Sequence, residues 1–232
     1  MTFRFILAAL LGGLCYLDRT AACQFMLHRP LVVSTLVGAV FGNLAAGAQV
    51  GAVLELLYIA RLPVGASVPP DDTGAAIFAG AAAAVASSSI GLDGGSFTAL
   101  LLLSVPSAEL GRLVDRYVRK VNGRIAHLTA EAVDRGDLRA VEHGLLAGLT
   151  LFALSGALLA LAFSGAGVAV AKYLIPRFGP GSRLEFSALL PVLPLLGAAS
   201  VYSCSRTERT AAPFFLTMAA VFAATVLFRW AP

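Results

Sequence analysis

The sequence predicts an all-α integral membrane protein: a multi-span helical bundle with broken or re-entrant segments and an amphipathic helical hairpin in the cytoplasm. Three observations carry this. The 232 residues are 58% hydrophobic and only 13% charged, with a mean hydropathy of +0.84, whereas ordinary globular chains carry roughly 25% charged residues. A chain so short of polar surface needs the bilayer as its solvent. Its charge is also gathered into one block, residues 112–143, which holds seven of the seventeen lysines and arginines. Finally, seven apolar stretches flank that block. The same numbers exclude a disordered chain, a collagen-like repeat, a disulfide scaffold and a free nucleic-acid-binding module.

The first apolar stretch, residues 3–17, follows Arg4 as a secretory signal would, and Thr20-Ala21-Ala22-Cys23 is similar to a lipoprotein cleavage site. Asp18 and Arg19 fit a signal poorly, and the aliphatic residue expected three places before the cysteine is missing, so the reading is a retained first membrane segment. Residues 31–62 are too long for one simple span of about 20 residues and carry Asn43, Gln49 and Glu55. Gly38, Gly42, Gly47 and Gly51 within it either build a close-packing helix face or mark a broken helix that exposes backbone to a solute. Residues 73–92 are dense in glycine, alanine and serine, the residues that let helices approach closely in lipid. Residues 97–110 fall short of a span and read as a re-entrant or tilted piece.

The basic block follows. Leu113, Val114, Tyr117, Val118, Val121, Ile125 and Leu128 recur at three- and four-residue steps between its charges, the stripe of an amphipathic helix. Gly136 and Asp137 interrupt the pattern, which resumes at Leu138 and Val141. The excess of arginine and lysine puts this hairpin on the cytoplasmic side, and the interleaved acids argue against a nucleic-acid partner. Residues 144–171, 186–204 and 211–228 complete the apolar set. Three regions result: 1–111 with the polar motifs, the hairpin 112–143, and C-terminal membrane segments 144–232.

Polar residues inside apolar stretches are the candidate site. A carboxylate at the depth of Glu55 needs a cavity or a partner; it lies on a solute pathway or pairs with Arg29 or Arg61. Asp71 and Asp72, after Pro69-Pro70, either accept hydrogen bonds from a polyhydroxylated solute or sit in a solvated turn with Asp72 or Thr73 capping the next helix. Gln24, His28 and Arg29 precede Pro30, which is suited to open a helix. Cys15, Cys23 and Cys204 read as small packing residues. No histidine pair has metal-ligand spacing, no glycine loop cradles phosphate and no nucleophile–base pair is visible, so neither a cofactor nor an enzyme is expected.

These residues carry a resemblance. Gln24-Phe-Met-Leu-His28-Arg29-Pro30-Leu31, Thr35-Leu36-Val37-Gly38 with Gly42-Asn43, Gly51-Ala-Val-Leu54-Glu55-Leu56, and Val64-Gly65-Ala66 with Pro69-Pro70-Asp71-Asp72 resemble, in order and spacing, the IIC membrane subunit of the mannose/fructose/sorbose family of the bacterial sugar phosphotransferase system. The likeness continues through Asn122, His127 and Gly136-Asp137-Leu138 to Pro213-Phe214-Phe215. It implies a multi-pass permease subunit of the bacterial inner membrane that pairs with a IID subunit, as a trimer of such pairs working by an elevator motion. It further implies that a hexose-type sugar is phosphorylated by a phosphohistidine of a separate IIB protein, charged in turn by IIA and HPr. By the same resemblance Gln24, Asn43, Glu55, Asp71 and Asp72 contact the sugar or shape its pocket, while His28 and Arg29 hold the loop together. The chain departs from the family pattern at Asn43, where aspartate is common. Two function classes follow: a sugar permease subunit, or a regulatory protein of the same fold in an incomplete phosphorelay.

Overall fold

The computed structural model describes residues 1–61, 68–89 and 91–178, together with isolated helical positions at 195, 197 and 199 and residue 202. The apolar segments expected at 186–204 and 211–228, and Cys204, lie outside the described residues or almost wholly so.

Six helices form the described bundle: α1 (Thr2–Thr20), α2 (Pro30–Phe41), α3 (Leu44–Tyr58), α4 (Asp72–Ser89), α5 (Gly94–Asp134) and α6 (Arg139–Ala169). A π-helical turn, Val170–Leu174, and a 3₁₀ turn, Ile175–Arg177, extend α6. By length and composition α5 and the continuous stretch Arg139–Arg177 are each long and apolar enough to cross a membrane. The helix α4 is the core. Its glycines and alanines from Gly74 to Ala86 are all buried, because α2, α3, α5 and α6 all pack on it and only small side chains admit that many neighbours.

The long stretch 31–62 resolves into a helix, a break and a helix. Gly42 closes α2 at φ +110, a conformation that favours glycine, and Asn43 opens α3 by accepting a hydrogen bond from the Ala46 N–H at 3.0 Å. The glycines of this stretch therefore both mark a break in the helix and pack closely across it. A Cβ added to Gly38 would stand 2.8 Å from the Gly47 Cα, so the arms of the hairpin touch backbone to backbone just below the break. With 12 and 15 residues, the arms measure roughly 18 and 22 Å, short of a hydrocarbon core of about 30 Å. Both ends of the hairpin thus return to one side, as in a re-entrant element.

The expected short piece at 97–110 is not separate. It is the N-terminal part of α5, one uninterrupted 41-residue helix that continues into the amphipathic stripe. The boundaries 111/112 and 143/144 therefore fall inside α5 and α6 rather than at helix ends. The turn between them places Gly136 at φ +91. Helix α1 packs antiparallel along α6, with Gly12 and Gly13 against Ala160 and Ala153.

Candidate functional site

The C-terminal end of α1, the N-terminal ends of α2 and α4 and the C-terminal end of α3 meet at one end of the bundle, which carries most of the charged contacts. There Asp71 is fully buried. Its carboxylate accepts hydrogen bonds from the Tyr16 hydroxyl and the Arg19 guanidinium and, through Oδ1, from the Gly74 N–H at 3.1 Å. That last bond makes Asp71 the cap of α4, rather than Asp72 or Thr73 as the turn reading had it. Its own N–H donates to the Ala108 carbonyl at 2.9 Å, and a Cβ on Gly111 would come within 2.7 Å of its Cγ. Asp71 therefore fastens α1, α4 and α5 together. Arg19 also reaches Asp72 at 3.3 Å and the Pro70 carbonyl at 3.2 Å.

The loop before α2 is held from beneath by Asp18, which is buried and accepts from the Phe25 N–H, the His28 N–H at 3.2 Å and the His28 ring at 2.8 Å. These bonds offset a strained path, since Cys23, Gln24 and Met26 all have positive φ. Gln24 is exposed on this loop. Cys15 is buried, but Cys23 is exposed and does not pack, because the left-handed loop turns it outward. The Thr73 hydroxyl donates to the His28 carbonyl at 3.0 Å, tying the loop to α4.

Glu55 pairs with Arg29 at 2.7 Å, one of the two partners open to it in sequence. Its second oxygen accepts from the Leu31 N–H at 3.2 Å, one of the orphan donors in the first turn of α2, where the helix dipole favours an anion. The base of the hairpin is thus closed by one carboxylate. Asn43 lies at the opposite end, where its amide donates to Ser87 at 2.9 Å. The structure brings Glu55, Asp71, Asp72, His28 and Arg29 to one end of the bundle and leaves Asn43 at the far tip. Sequence reading missed Tyr16 and Arg19 as members of this site. Their signal was present: a tyrosine, an aspartate and an arginine within four positions, ending an otherwise apolar helix.

The larger hollow, about 610 Å³ between α5 and α6, is walled mainly by aliphatic and alanine side chains with Asn122 and Thr129 among them. Its wall carries a single carboxylate, Asp134, whereas the other end gathers Glu55, Asp71 and Asp72 with their arginines, so the charged end is the better candidate site.

This geometry defines a class: a helical membrane protein with a re-entrant hairpin and an ion-paired polar end buried in the bundle. Residues 2–228 match the family described as the sorbose-specific IIC component of the phosphotransferase system. The chain belongs to that family. It is 31% identical over 137 residues to the mannose-specific EIIC component of Escherichia coli K12, a match covering 59% of this chain and 47% of the relative. It is 26% identical over 119 residues to the sorbose-specific EIIC component of Klebsiella pneumoniae, covering 51% and 42%. With the fructose permease IIC component of Bacillus subtilis it shares 29% identity over 137 residues, covering 59% and 46%. The chain thus spans somewhat under half the length of the curated relatives it matches. Among solved structures, one titled "Structure of membrane protein" superposes with a TM-score of 0.73 at 21% identity, covering 100% of this chain and 97% of the other. The mannose transporter ManYZ in complex with microcin E492 superposes at 0.62 and 22% identity, with the same coverage. Both show the fold: this is a membrane protein built as an all-helical bundle.

Proposed function

We propose that this chain is the IIC permease subunit of a mannose-family phosphotransferase-system transporter, moving a hexose-type sugar across the bacterial inner membrane as a multi-pass protein with no covalent chemistry of its own. The observation that carries this reading is the broken-helix hairpin α2–α3. Irregular backbone at membrane depth is tolerated where it lines a cavity or is buried in protein, and here its charged base holds Glu55 on Arg29, which shares a cavity wall with Asp72. The names of the relatives, specific for mannose, sorbose and fructose, supply the substrate class: a polyhydroxylated ring whose hydroxyls need acceptors.

In this reading Glu55 and Asp72, both partly exposed, accept from the sugar, and Gln24 on its exposed loop borders the entrance. Asp71 shapes the pocket from below through Tyr16 and Arg19, and Asn43 sets the hairpin tip. His28 and Arg29 hold the loop. The hairpin at 112–143 lies in the cytoplasm, the regions 1–111 and 144–232 in the membrane, and phosphorylation falls to a separate IIB protein supplied by IIA.

A IID subunit completes the pathway, in a trimer of IIC–IID pairs. Helix α6 supports the need for a partner. Its apolar part from Gly144 measures roughly 39 Å, more than the hydrocarbon thickness of about 30 Å, and Leu145, Leu146, Leu154 and Leu158 on it are more than half exposed. Deleting the chain from its native cell tests the reading. Uptake of a hexose coupled to its phosphorylation should disappear and return with the gene, and uptake unchanged by the deletion would overturn it.

A further inference from the structure

The charged end holds a cavity of about 110 Å³ whose walls include Arg19, Arg29, Arg61 and Arg119, with His28 and one carboxylate, Asp72. The four guanidinium groups come from four separate segments: the end of α1, the residue before α2, the stretch after α3, and the middle of α5. Drawing four such groups around one small space costs Coulomb energy unless anions offset it.

The existing carboxylates use only part of the donor capacity. Arg119 spends its Nε on Asp115, at 3.1 Å to both oxygens, which leaves its two terminal nitrogens. Arg29 engages Glu55 through Nη2, and among the described residues no carboxylate lies within ion-pair distance of Arg61. A guanidinium presents five N–H donors in a fixed fork that matches the oxygens of a phosphate. The position suits such a ligand too: the cavity lies at the N-terminal end of α4, whose 18 residues measure roughly 27 Å, about the hydrocarbon thickness.

We propose that this cavity is a binding site for a phosphate group. Two sources share that chemistry: the phosphoryl group of a phosphorylated hexose, an assignment that rests on the transport reading above, and the headgroup of an anionic phospholipid. The site would hold the anion by Arg61 and the free edges of Arg29 and Arg119, while Asp72, a like charge in the same wall, opposes it.

The test is calorimetric titration of the full chain in nanodiscs with inorganic phosphate and with hexose 6-phosphate. Discs of phosphatidylcholine alone are compared with discs containing phosphatidylglycerol. Both phosphates should bind in phosphatidylcholine, about tenfold more weakly in Arg61→Gln and more tightly in Asp72→Asn, and added salt should weaken them. Phosphatidylglycerol that displaces them in the unaltered chain but not in Arg61→Gln identifies the lipid as occupant; equal binding in both discs identifies the soluble ester. Absence of binding at millimolar phosphate, or binding indifferent to both substitutions in chains of unchanged thermal stability, overturns the proposal. Hexose uptake measured in parallel separates the two readings: phosphate binding without uptake keeps the site and removes transport, and uptake without phosphate binding does the reverse.

Discussion

Replacing Asp71 by asparagine tests how the polar end is held. The side chain keeps its shape and the Oδ1 acceptor, which can still take the Gly74 N–H and an Arg19 N–H, but it loses the charge that pairs with Arg19, and the amide nitrogen that replaces Oδ2 cannot accept from the Tyr16 hydroxyl. Breaking one partner of a buried ion pair costs about 3–5 kcal/mol. Arg19 retains Asp72 at 3.3 Å and the Pro70 carbonyl at 3.2 Å, so the lower end applies, about 3 kcal/mol or roughly two decades in the folding equilibrium. Tyr16→Phe removes a single hydrogen bond to a charged acceptor and should cost about 1.5–3 kcal/mol. The double variant should fall short of the sum, because both substitutions act on one carboxylate. Unfolding in mixed micelles by increasing dodecyl sulfate, followed by circular dichroism, gives all three values. A loss below about 1 kcal/mol for Asp71→Asn, or strict additivity with Tyr16→Phe, would refute the view that Asp71 fastens α1 to α4 and α5.

Three further outcomes follow from the same geometry. Gly80→Ala would set a Cβ 2.7 Å from the Ser34 carbonyl oxygen and 2.9 Å from the Ser34 Cα, so separating α2 from α4 should cost about 1–3 kcal/mol in the same unfolding assay. Asn43→Ala removes the α3 cap and the Ser87 bond and should cost about 1–2 kcal/mol, whereas Asn43→Asp keeps the cap acceptor and should lose less. Glu55→Gln should weaken hexose binding by about one to two decades, measured by titration of the chain with its partner subunit; unchanged affinity with a destabilised complex would leave Glu55 only its structural pairing with Arg29.

What the sequence makes legible is set by the range of the interactions. The helix period of the stripe from Leu113 to Leu128 is local, so α5 could be read there without the fold. That the stripe and residues 97–110 form one helix was harder to read, because Pro106 and the change from apolar to charged composition both suggest an interruption that tertiary packing overrides. The stretch 31–62 was legible as an anomaly. Its length and its glycines left two explanations, and only the pairing of Gly38 with Gly47 joins them. Glu55 stood out because a lone carboxylate among leucines is costly in lipid, yet its choice of Arg29 over Arg61 depends on where α3 returns beside the start of α2. Arg19 and Tyr16 were the least legible, since their partner Asp71 lies more than fifty positions away and no periodicity links them.

The most direct test of the central reading is reconstitution. Vesicles containing this chain with a IID subunit, loaded with IIB and its phosphoryl supply, are given labelled hexose outside, and phosphorylated hexose is measured inside. The account predicts accumulation that requires both membrane subunits and falls sharply in Glu55→Gln and in Asp72→Asn. Accumulation that persists when this chain is left out would contradict it.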